Sequence, residues 1–193
     1  MKRIVFVMLT VVVLFVLTAC VDQHPRQTSS DEQNMRIIVT SVATMEIMDK
    51  MGVELMGIPH SDLYDPPKRY RDVQEIGMPM APDLELIQSL DPDWVFGPNS
   101  LEADLKPKYE AANINAGFLN LRSVEGMYHS IEDLGDLLGY EEEAETLIAE
   151  YEAFYEDYKG RNAHQEKPSV LVLMGLPGSY IVATENSYVG SLV

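Results

Sequence analysis

The stretch Arg36–Met51, RIIVTSVATMEIMDKM, contains one complete strand-to-helix unit. Its first five residues, Arg36–Thr40, are rich in β-branched side chains and predict a short strand. Val42–Met51 then places apolar residues at helical spacing, and Ser41 stands where a helix N-cap is preferred. A strand that turns directly into a helix is the repeating unit of an α/β layer fold.

The alternation of strand and helix continues after Met51. Short apolar runs predict further strands, and the segments between them show apolar residues at helical spacing. The predicted strands are Leu55–Ile58, Asp93–Gly97 and Ala116–Leu119, and the predicted helices are Asp83–Leu90 and Leu101–Ala112. Strands that alternate with helices favour a parallel sheet with helices on both faces, so residues 35–122 are predicted to form an N-terminal α/β lobe.

Two consecutive helices are predicted after this lobe, within residues 123–164. The first, Ser123–Leu138, is amphipathic and ends at Gly139, a preferred residue for a helix C-terminus. The second, Glu141–Asn162, is about 30 Å long at ~1.5 Å per residue and is predicted to be a rigid connector between lobes. Its apolar side chains, which we expect to pack on the lobes, are Leu147, Tyr151, Phe154 and Tyr158.

A second lobe is predicted to begin within residues 165–193. The apolar run Val170–Leu173 leads into Met174–Tyr180, which reads MGLPGSY and is typical of a strand entering a turn. The sequence ends at Val193, inside a predicted helix, so we expect the chain to be a fragment in which this lobe is incomplete. The predicted fold class is therefore α/β, with two lobes and a long connecting helix.

The first 20 residues have the pattern of a secretory signal peptide. Lys2 and Arg3 precede the apolar run Ile4–Leu17, which small residues close before Cys20. About 15 apolar residues fall short of the ~20 that span a bilayer, so a transmembrane anchor is the less favoured interpretation. The sequence Leu-Thr-Ala-Cys resembles the bacterial lipoprotein box, which implies lipidation of Cys20, and the alternative is a chance cysteine. The polar residues 21–34 predict a flexible tether from membrane to fold.

Charge and motif content restrict the class of function. The chain has 31 acidic and 14 basic residues, a net charge of −17 at neutral pH. Such a surface repels phosphate backbones, so we predict no nucleic-acid partner. The sequence shows no nucleophile–base–orienter pattern, no Gly-rich phosphate loop and no Cys/His metal box. We therefore predict a protein that is not an enzyme.

These features together resemble the substrate-binding lipoproteins of ABC importers, in the class with a helical backbone that serves siderophores, cobalamin and haem. Within that class, four stretches are similar to haem-receiving lipoproteins of Gram-positive bacteria: Arg36–Ala43, Arg69–Pro82, Leu173–Thr184 and Ser187–Val193. The resemblance implies a periplasmic-binding-protein-like fold at the extracytoplasmic face of the cell membrane. It also implies that the protein takes haem, from upstream cell-wall relay proteins among other sources, and delivers it to an ABC permease for iron acquisition.

Methionines occur in two different contexts. Those of the predicted helix Val42–Met51 lie at helical spacing and are predicted to fill the core. Met78 and Met80 lie between Gly77 and Pro82, in a stiff stretch where no helix face requires them, although packing is the usual role of a loop methionine. The resemblance implies that Met80 is an axial ligand of haem iron and that the second ligand is a histidine beyond the end of this sequence.

Four more residues are implied to line the haem. The turn at Ser41 enters a helix, and backbone N–H groups at such an N-terminus accept carboxylates, including haem propionates, without a basic side chain. By resemblance Val42, Ala43, Ser61 and Asp62 match haem-lining positions. Asp62 departs from the family pattern, which has a tyrosine there, and a carboxylate beside a propionate is repulsive.

The last two candidates are a histidine and a glutamate. His60 is the rival iron ligand, because it lies in a loop predicted to face the same cleft as Met80, whereas the other three histidines lie in the tether, on a helix face and at a helix exit. Glu85 matches, by resemblance, a glutamate that docks on an arginine pocket of the permease. The alternative for Glu85 is an ordinary solvated side chain.

Two other functions remain open from the sequence. A ferric-siderophore-binding lipoprotein of the same fold is predicted to have basic or aromatic residues in its cleft and no axial methionine. A surface lipoprotein without a transport role is predicted to bind neither ligand.

Overall fold

The computed structural model describes residues 35–166, 168–176, 178–184 and 187–192. The predicted signal peptide 1–20 with Cys20, and the predicted tether 21–34, lie outside the described residues. Across the described ranges, no helix is both long and apolar enough to cross a membrane.

The N-terminal lobe is built on a parallel sheet. Its strands, in chain order, are β1 (Ile37–Val39), β2 (Gly57–Ile58), β3 (Gln74–Glu75), β4 (Gly77–Met78), β5 (Ala81–Pro82), β6 (Trp94–Pro98) and β7 (Ala116–Leu119). Five of them form the sheet in the order β3-β2-β1-β6-β7, with every neighbouring pair parallel. β4 and β5 form a separate antiparallel hairpin.

Five helices accompany these strands: α1 (Val42–Met51), α2 (Leu84–Leu90), α3 (Glu102–Ala111), α4 (Val124–Leu138) and α5 (Glu141–Asn162). Ser41, Asp83 and Ser123 each accept a hydrogen bond from a backbone N–H of the first turn, so α1, α2 and α4 begin at capped residues. Gly52 and Gly139 adopt left-handed backbone angles and end α1 and α4. The predicted N-cap at Ser41 and the predicted stop at Gly139 are both confirmed.

The core has two layers, one on each face of the sheet. Alternation along β1 sends Ile37 and Val39 into the layer shared with α1, α4 and α5, and Ile38 into the layer shared with α2 and α3. Phe96 and Val95 of β6 divide in the same way between the two layers. Helices therefore cover both faces, as the alternating sequence pattern predicted.

Four short strands differ from the predicted elements. β2 starts at Gly57 rather than Leu55, and residues 74–82, predicted to be loop, contain β3 and the β4–β5 hairpin. β3 is a two-residue edge strand whose side chains, Gln74 and Glu75, are exposed. A polar edge strand of this length has no apolar periodicity, so the pattern that reveals buried strands does not report it.

The C-terminal half of α5 corrects another prediction. Leu147 is buried, and Tyr151 packs against the core and stacks on Tyr128 with ring centroids 6.2 Å apart. Phe154 and Tyr158 are 67% and 53% exposed, so the prediction that they pack on the lobes is wrong. α5 has 22 residues and its partner α4 has 15, which leaves about 10 Å of α5, the part that carries Tyr158, beyond the end of α4.

Residues 172–191 form a hairpin and a short helix. β8 (Val172–Leu176) and β9 (Ser179–Ala183) are antiparallel, and α6 (Tyr188–Ser191) follows. Gly178 takes the positive φ of +81° at the hairpin turn. Within the described part of the chain β8 and β9 pair only with each other, and their apolar side chains are largely exposed. The start of a second lobe at residues 165–193, like the other domain boundaries, stays a prediction.

Candidate functional site

The carboxyl ends of the five parallel strands lie along one edge of the sheet. After β1 the chain turns to β2 and β3 on one side, and only later reaches β6 and β7 on the other side. In open α/β sheets, ligands bind outside the carboxyl ends of the strands at the point where the strand order reverses. The order reverses between β1 and β6, so the loop that leaves β1 and the neighbouring loops at the same edge, after β2 and β3, form a candidate ligand site.

The loop after β1 leads directly into α1. Ser41 Oγ accepts a hydrogen bond from the Thr44 N–H at 3.2 Å, and the Ser41 carbonyl accepts one from the Met45 N–H at 3.0 Å. The N–H groups of Val42 and Ala43 lie in the first turn of α1, where no carbonyl of the helix can accept a hydrogen bond from them. Ala43 is exposed, so this turn presents backbone donors to a ligand with carboxylates.

The loop after β2 carries Ser61 and Asp62. β2 neighbours β1, so this loop begins about 5 Å from the loop that enters α1. Ser61 Oγ accepts a hydrogen bond from the Leu63 N–H at 3.3 Å, and the Tyr64 hydroxyl donates to the Glu46 carboxylate on α1. The loop is thus tied to the same helix whose N-terminus it flanks.

The β4–β5 hairpin holds both candidate methionines. Gly77 has φ +94°, and a Cβ there would lie 3.2 Å from the Ala81 carbonyl oxygen, so the hairpin requires glycine. Met78 pairs with Ala81 across the hairpin, and Pro79 and Met80 form its turn. Met78 is 54% exposed and Met80 is 73% exposed, so neither thioether fills the core.

His60 connects the β2 loop to this hairpin. Its backbone N–H donates to the Gly77 carbonyl at 2.8 Å. Its ring lies between two carboxylates, with Nδ1 2.7 Å from Glu75 Oε2 and Nε2 3.2 Å from Asp62 Oδ1. The hydrogen bond to Glu75 raises the pKa of His60 above its ordinary value, and the hydrogen bond to Asp62 adds a smaller increase. Both ring nitrogens contact a carboxylate, so binding of iron by His60 would require one of these contacts to break.

Sequence reasoning missed two polar contacts at this edge. Glu75 was missed because it lies on the unpredicted strand β3, and no local signal marks it as the partner of His60. Asn99 Nδ2, after β6, donates to Asn120 Oδ1, after β7, at 3.1 Å. An asparagine within two residues after each of two predicted strands was the available signal for this second pair.

A model of the periplasmic binding protein family matches residues 37–193. This range includes all five strands of the parallel sheet and the loops that follow β1, β2 and β3. The chain belongs to the periplasmic binding protein family. Members bind ligands and do not catalyse reactions, which confirms the prediction that the chain is not an enzyme.

Similar proteins include a curated relative and two solved structures. The chain is 35% identical to the high-affinity heme uptake system protein IsdE of Staphylococcus aureus over its full length, and spans 66% of that protein. An ABC transporter substrate-binding protein from Listeria monocytogenes EGD-e is 46% identical in the aligned region, with a TM-score of 0.77. S. aureus IsdE complexed with heme is 37% identical, also with a TM-score of 0.77. Each structural match covers 82% of this chain and 61% of the other.

These similarities confirm the predicted α/β, periplasmic-binding-protein-like fold. The carboxyl edge of this periplasmic binding protein brings the loops with Val42, Ser61 and Met80 onto three neighbouring strands, β1, β2 and β3. Adjacent strands are ~4.8 Å apart, so these loops leave the sheet within about 10 Å of one another.

Glu85 lies in the first turn of α2 and is exposed. The turn is fixed by Asp83, whose Oδ1 accepts a hydrogen bond from the Leu86 N–H at 3.0 Å. α2 buries Ile87 in the opposite direction, against the second core layer. Glu85 is therefore free to meet a partner surface, as the docking hypothesis requires.

A groove of about 490 Å³ lies between α4 and α5, apart from the loops at the carboxyl edge of the sheet. Its walls carry six carboxylates, with Ala144 and Ile148 among its apolar lining residues; the acidic residues are Glu125, Glu132, Asp136, Glu141, Glu145 and Glu152. None of the predicted site residues lines it. No group of three or more His, Cys, Asp or Glu suited to hold a metal ion is present in the described ranges.

Proposed function

We propose that the complete protein is a membrane-anchored haem-binding lipoprotein that receives haem at the extracytoplasmic face of the cell membrane and delivers it to an ABC permease for iron acquisition. The observation that carries this proposal is the exposed position of Met80, on the turn of the β4–β5 hairpin at the carboxyl edge of the sheet. It is supported by 37% identity to a structure of IsdE complexed with heme.

The chemistry of the exposed groups fits haem. A thioether is a soft ligand that favours ferrous iron and raises the reduction potential relative to two imidazoles. Met80 supplies this ligand in the proposal, with the second expected from a histidine beyond Val193. The propionates meet the backbone donors of Val42 and Ala43, and Ser61 and Asp62 line the neighbouring wall.

Attachment and delivery involve other parts of the chain. Lipidation of Cys20 with two acyl chains would hold the protein on the membrane, since each buried methylene contributes ~0.8 kcal/mol and one chain alone binds only reversibly. Glu85 is the proposed contact with the permease, and upstream cell-wall relay proteins are the proposed donors of haem. The acidic surface is unsuited to nucleic acid.

The axial ligand is tested in the complete protein by haem titration and by the absorption spectrum of the ferrous complex. We expect one haem per protein, a Soret band with the features of methionine ligation, and loss of both affinity and those features in Met80→Ala. Met78→Ala, on the same hairpin, is the matched control and should retain them. The opposite ranking of the two variants would move the iron to Met78.

The same titration separates the alternatives. Binding of ferric siderophores in preference to haem would assign the protein to the siderophore class. Binding of neither would favour a surface lipoprotein without a transport role.

The lipid anchor is tested by Cys20→Ala. We expect the variant to fold but to appear in the medium or as an unprocessed precursor, because the substitution removes the predicted site of lipid attachment. Cell fractionation and mass spectrometry of the mature N-terminus provide the measurement. Retention of a cleaved, unlipidated protein on the membrane contradicts the proposal.

A further inference from the structure

The β2 loop presents an electrostatic problem for a ligand that carries carboxylates. Asp62 is exposed beside Ser61, and Glu75 lies on the adjacent strand β3. Two carboxylates at one edge of the site would repel an anionic ligand, since like charges a few ångströms apart disfavour each other.

His60 lies between these two carboxylates. Its ring is 2.7 Å from Glu75 Oε2 on one side and 3.2 Å from Asp62 Oδ1 on the other, and its backbone N–H is bonded to Gly77 at 2.8 Å. One side chain thus joins the loop, the edge strand and the methionine hairpin. The two carboxylates approach different ring nitrogens, so the arrangement is a charge bridge and does not form a metal-binding cluster.

We propose that His60 is a positioning residue that neutralises Asp62 and holds the β2 loop against β3 and the β4–β5 hairpin, so that this edge accepts a ligand carrying carboxylates. This inference rests on the proposed function, in which the ligand is haem with two propionates. Asp62, which alone would repel a propionate, is directed to the His60 ring instead.

Protonation of the His60 ring determines whether it donates a hydrogen bond to both carboxylates. An imidazolium donates to both carboxylates, whereas a neutral imidazole donates to one and turns a lone pair toward the other. The charged groups that act on His60 are Glu75, from β3, and Asp62, from its own loop, and both raise its pKa. The bridge is therefore complete at low pH and is lost as the pH rises through the raised pKa of His60, releasing Asp62 as a free negative charge.

The test is a double-mutant cycle on the complete protein, with haem and haem dimethyl ester as probes. His60→Gln should weaken haem binding about twofold to fivefold, the range that exposed charge pairs produce. In an Asp62→Asn background the same substitution should cause a clearly smaller loss of affinity than in the parent, because one of the two repelling charges is absent. The dimethyl ester has no carboxylates, so its affinity should not respond to His60→Gln.

Equal losses for haem and its ester would overturn the inference, because they would show that His60 has only a structural role. An undiminished effect of His60→Gln in the Asp62→Asn background would overturn it as well.

A second measurement needs no ligand and separates this inference from the proposed function. NMR titration of the complete protein should show a His60 midpoint above the ordinary value of about 6.5, with the Ser61 amide and the Gly77 amide following the same midpoint. Asp62→Asn should lower that midpoint. If it does so in a protein that binds no haem, the bridge stands and the proposed function fails. If the midpoint is unchanged by Asp62→Asn, the bridge is overturned even in a protein that binds haem.

Discussion

Helix α1 and the β4–β5 hairpin both carry methionines, in opposite environments. Met45, Met48 and Met51 are at most 1% exposed and belong to the core layer between the sheet and α1, α4 and α5. Met78 and Met80 are more than half exposed on a hairpin held by Gly77. The same flexible thioether fills space in the first region and is exposed at the proposed site in the second.

The difference shows that burial, and not residue type, separates residues that stabilise this fold from residues that serve the proposed site. Buried positions lose packing when they are truncated, whereas exposed edge positions lose contacts only when a ligand or partner is present. Each of the following substitutions tests whether that separation holds.

The largest effect is expected inside α1. Met48 is fully buried, so Met48→Ala should lower the free energy of unfolding by about 2–5 kcal/mol through lost contacts and a residual cavity. Met80→Ala, the exposed counterpart, should change it by less than about 0.5 kcal/mol. Urea denaturation followed by circular dichroism compares the two variants. Equal destabilisation would show that the hairpin is part of the core and that burial does not separate the two groups of methionines.

Charge reversal at Glu85 tests an exposed position that the proposal assigns to a partner. Glu85→Lys in the complete protein should leave unfolding and haem affinity unchanged but weaken permease docking by about 2–5 kcal/mol, since a cation would face the arginine pocket that the family resemblance implies. Docking is read as haem-dependent stimulation of the permease ATPase. Glu85→Gln is the matched control, expected to give a smaller loss. Normal stimulation by Glu85→Lys would make Glu85 ordinary solvated surface.

Two glycines allow the same comparison of a packed and an exposed position within the helices. A Cβ at Gly135 of α4 would lie 2.7 Å from the Ala144 Cβ and 3.2 Å from the Tyr140 carbonyl oxygen, so Gly135→Ala should destabilise by about 1–3 kcal/mol. A Cβ at Gly160 of α5 would meet no atom of the described residues within 4 Å, so Gly160→Ala should stabilise by up to about 1 kcal/mol. Thermal unfolding of the pair measures both signs, and a loss of stability at Gly160 would be inconsistent with an unpacked end of α5.

The smallest effect is expected from pH at the exposed edge. Because the folded-state pKa of His60 is raised by Glu75 and Asp62, its contribution to stability is fully present below about pH 6.5 and is lost as the pH rises through the raised value. His60→Gln should therefore unfold at a lower urea concentration than the parent at pH 5.5, and the gap should close near pH 8.5. A gap that widens with pH would reverse the assigned sign.

Buried, periodic elements were predictable from the sequence. The bounds of α1, β7 and α5 agree with prediction. α1 has apolar residues at helical spacing and the N-cap Ser41, and α5 begins shortly after the helix stop at Gly139. The edge of the proposed site was harder to predict from the sequence. β3 and the hairpin have two-residue strands with little buried surface, and the strands they pair with are set by tertiary contacts. Thus the stiff local sequence set Met78 and Met80 apart from the core methionines, and the choice of Met80 between them came from the family resemblance. The Glu75–His60–Asp62 bridge required the sheet order.

The central strand β1 has a consequence for how such proteins diversify. Its three residues supply both core layers, and one inserted or deleted residue would exchange inward and outward side chains on both faces at once. Loop 59–67 has no such constraint, and a change in its length carries a small entropic penalty. Among descendants of one ancestral gene, insertions and deletions should therefore collect in the loops of the proposed site and be purged from β1, so that new specificities evolve around an unchanged strand.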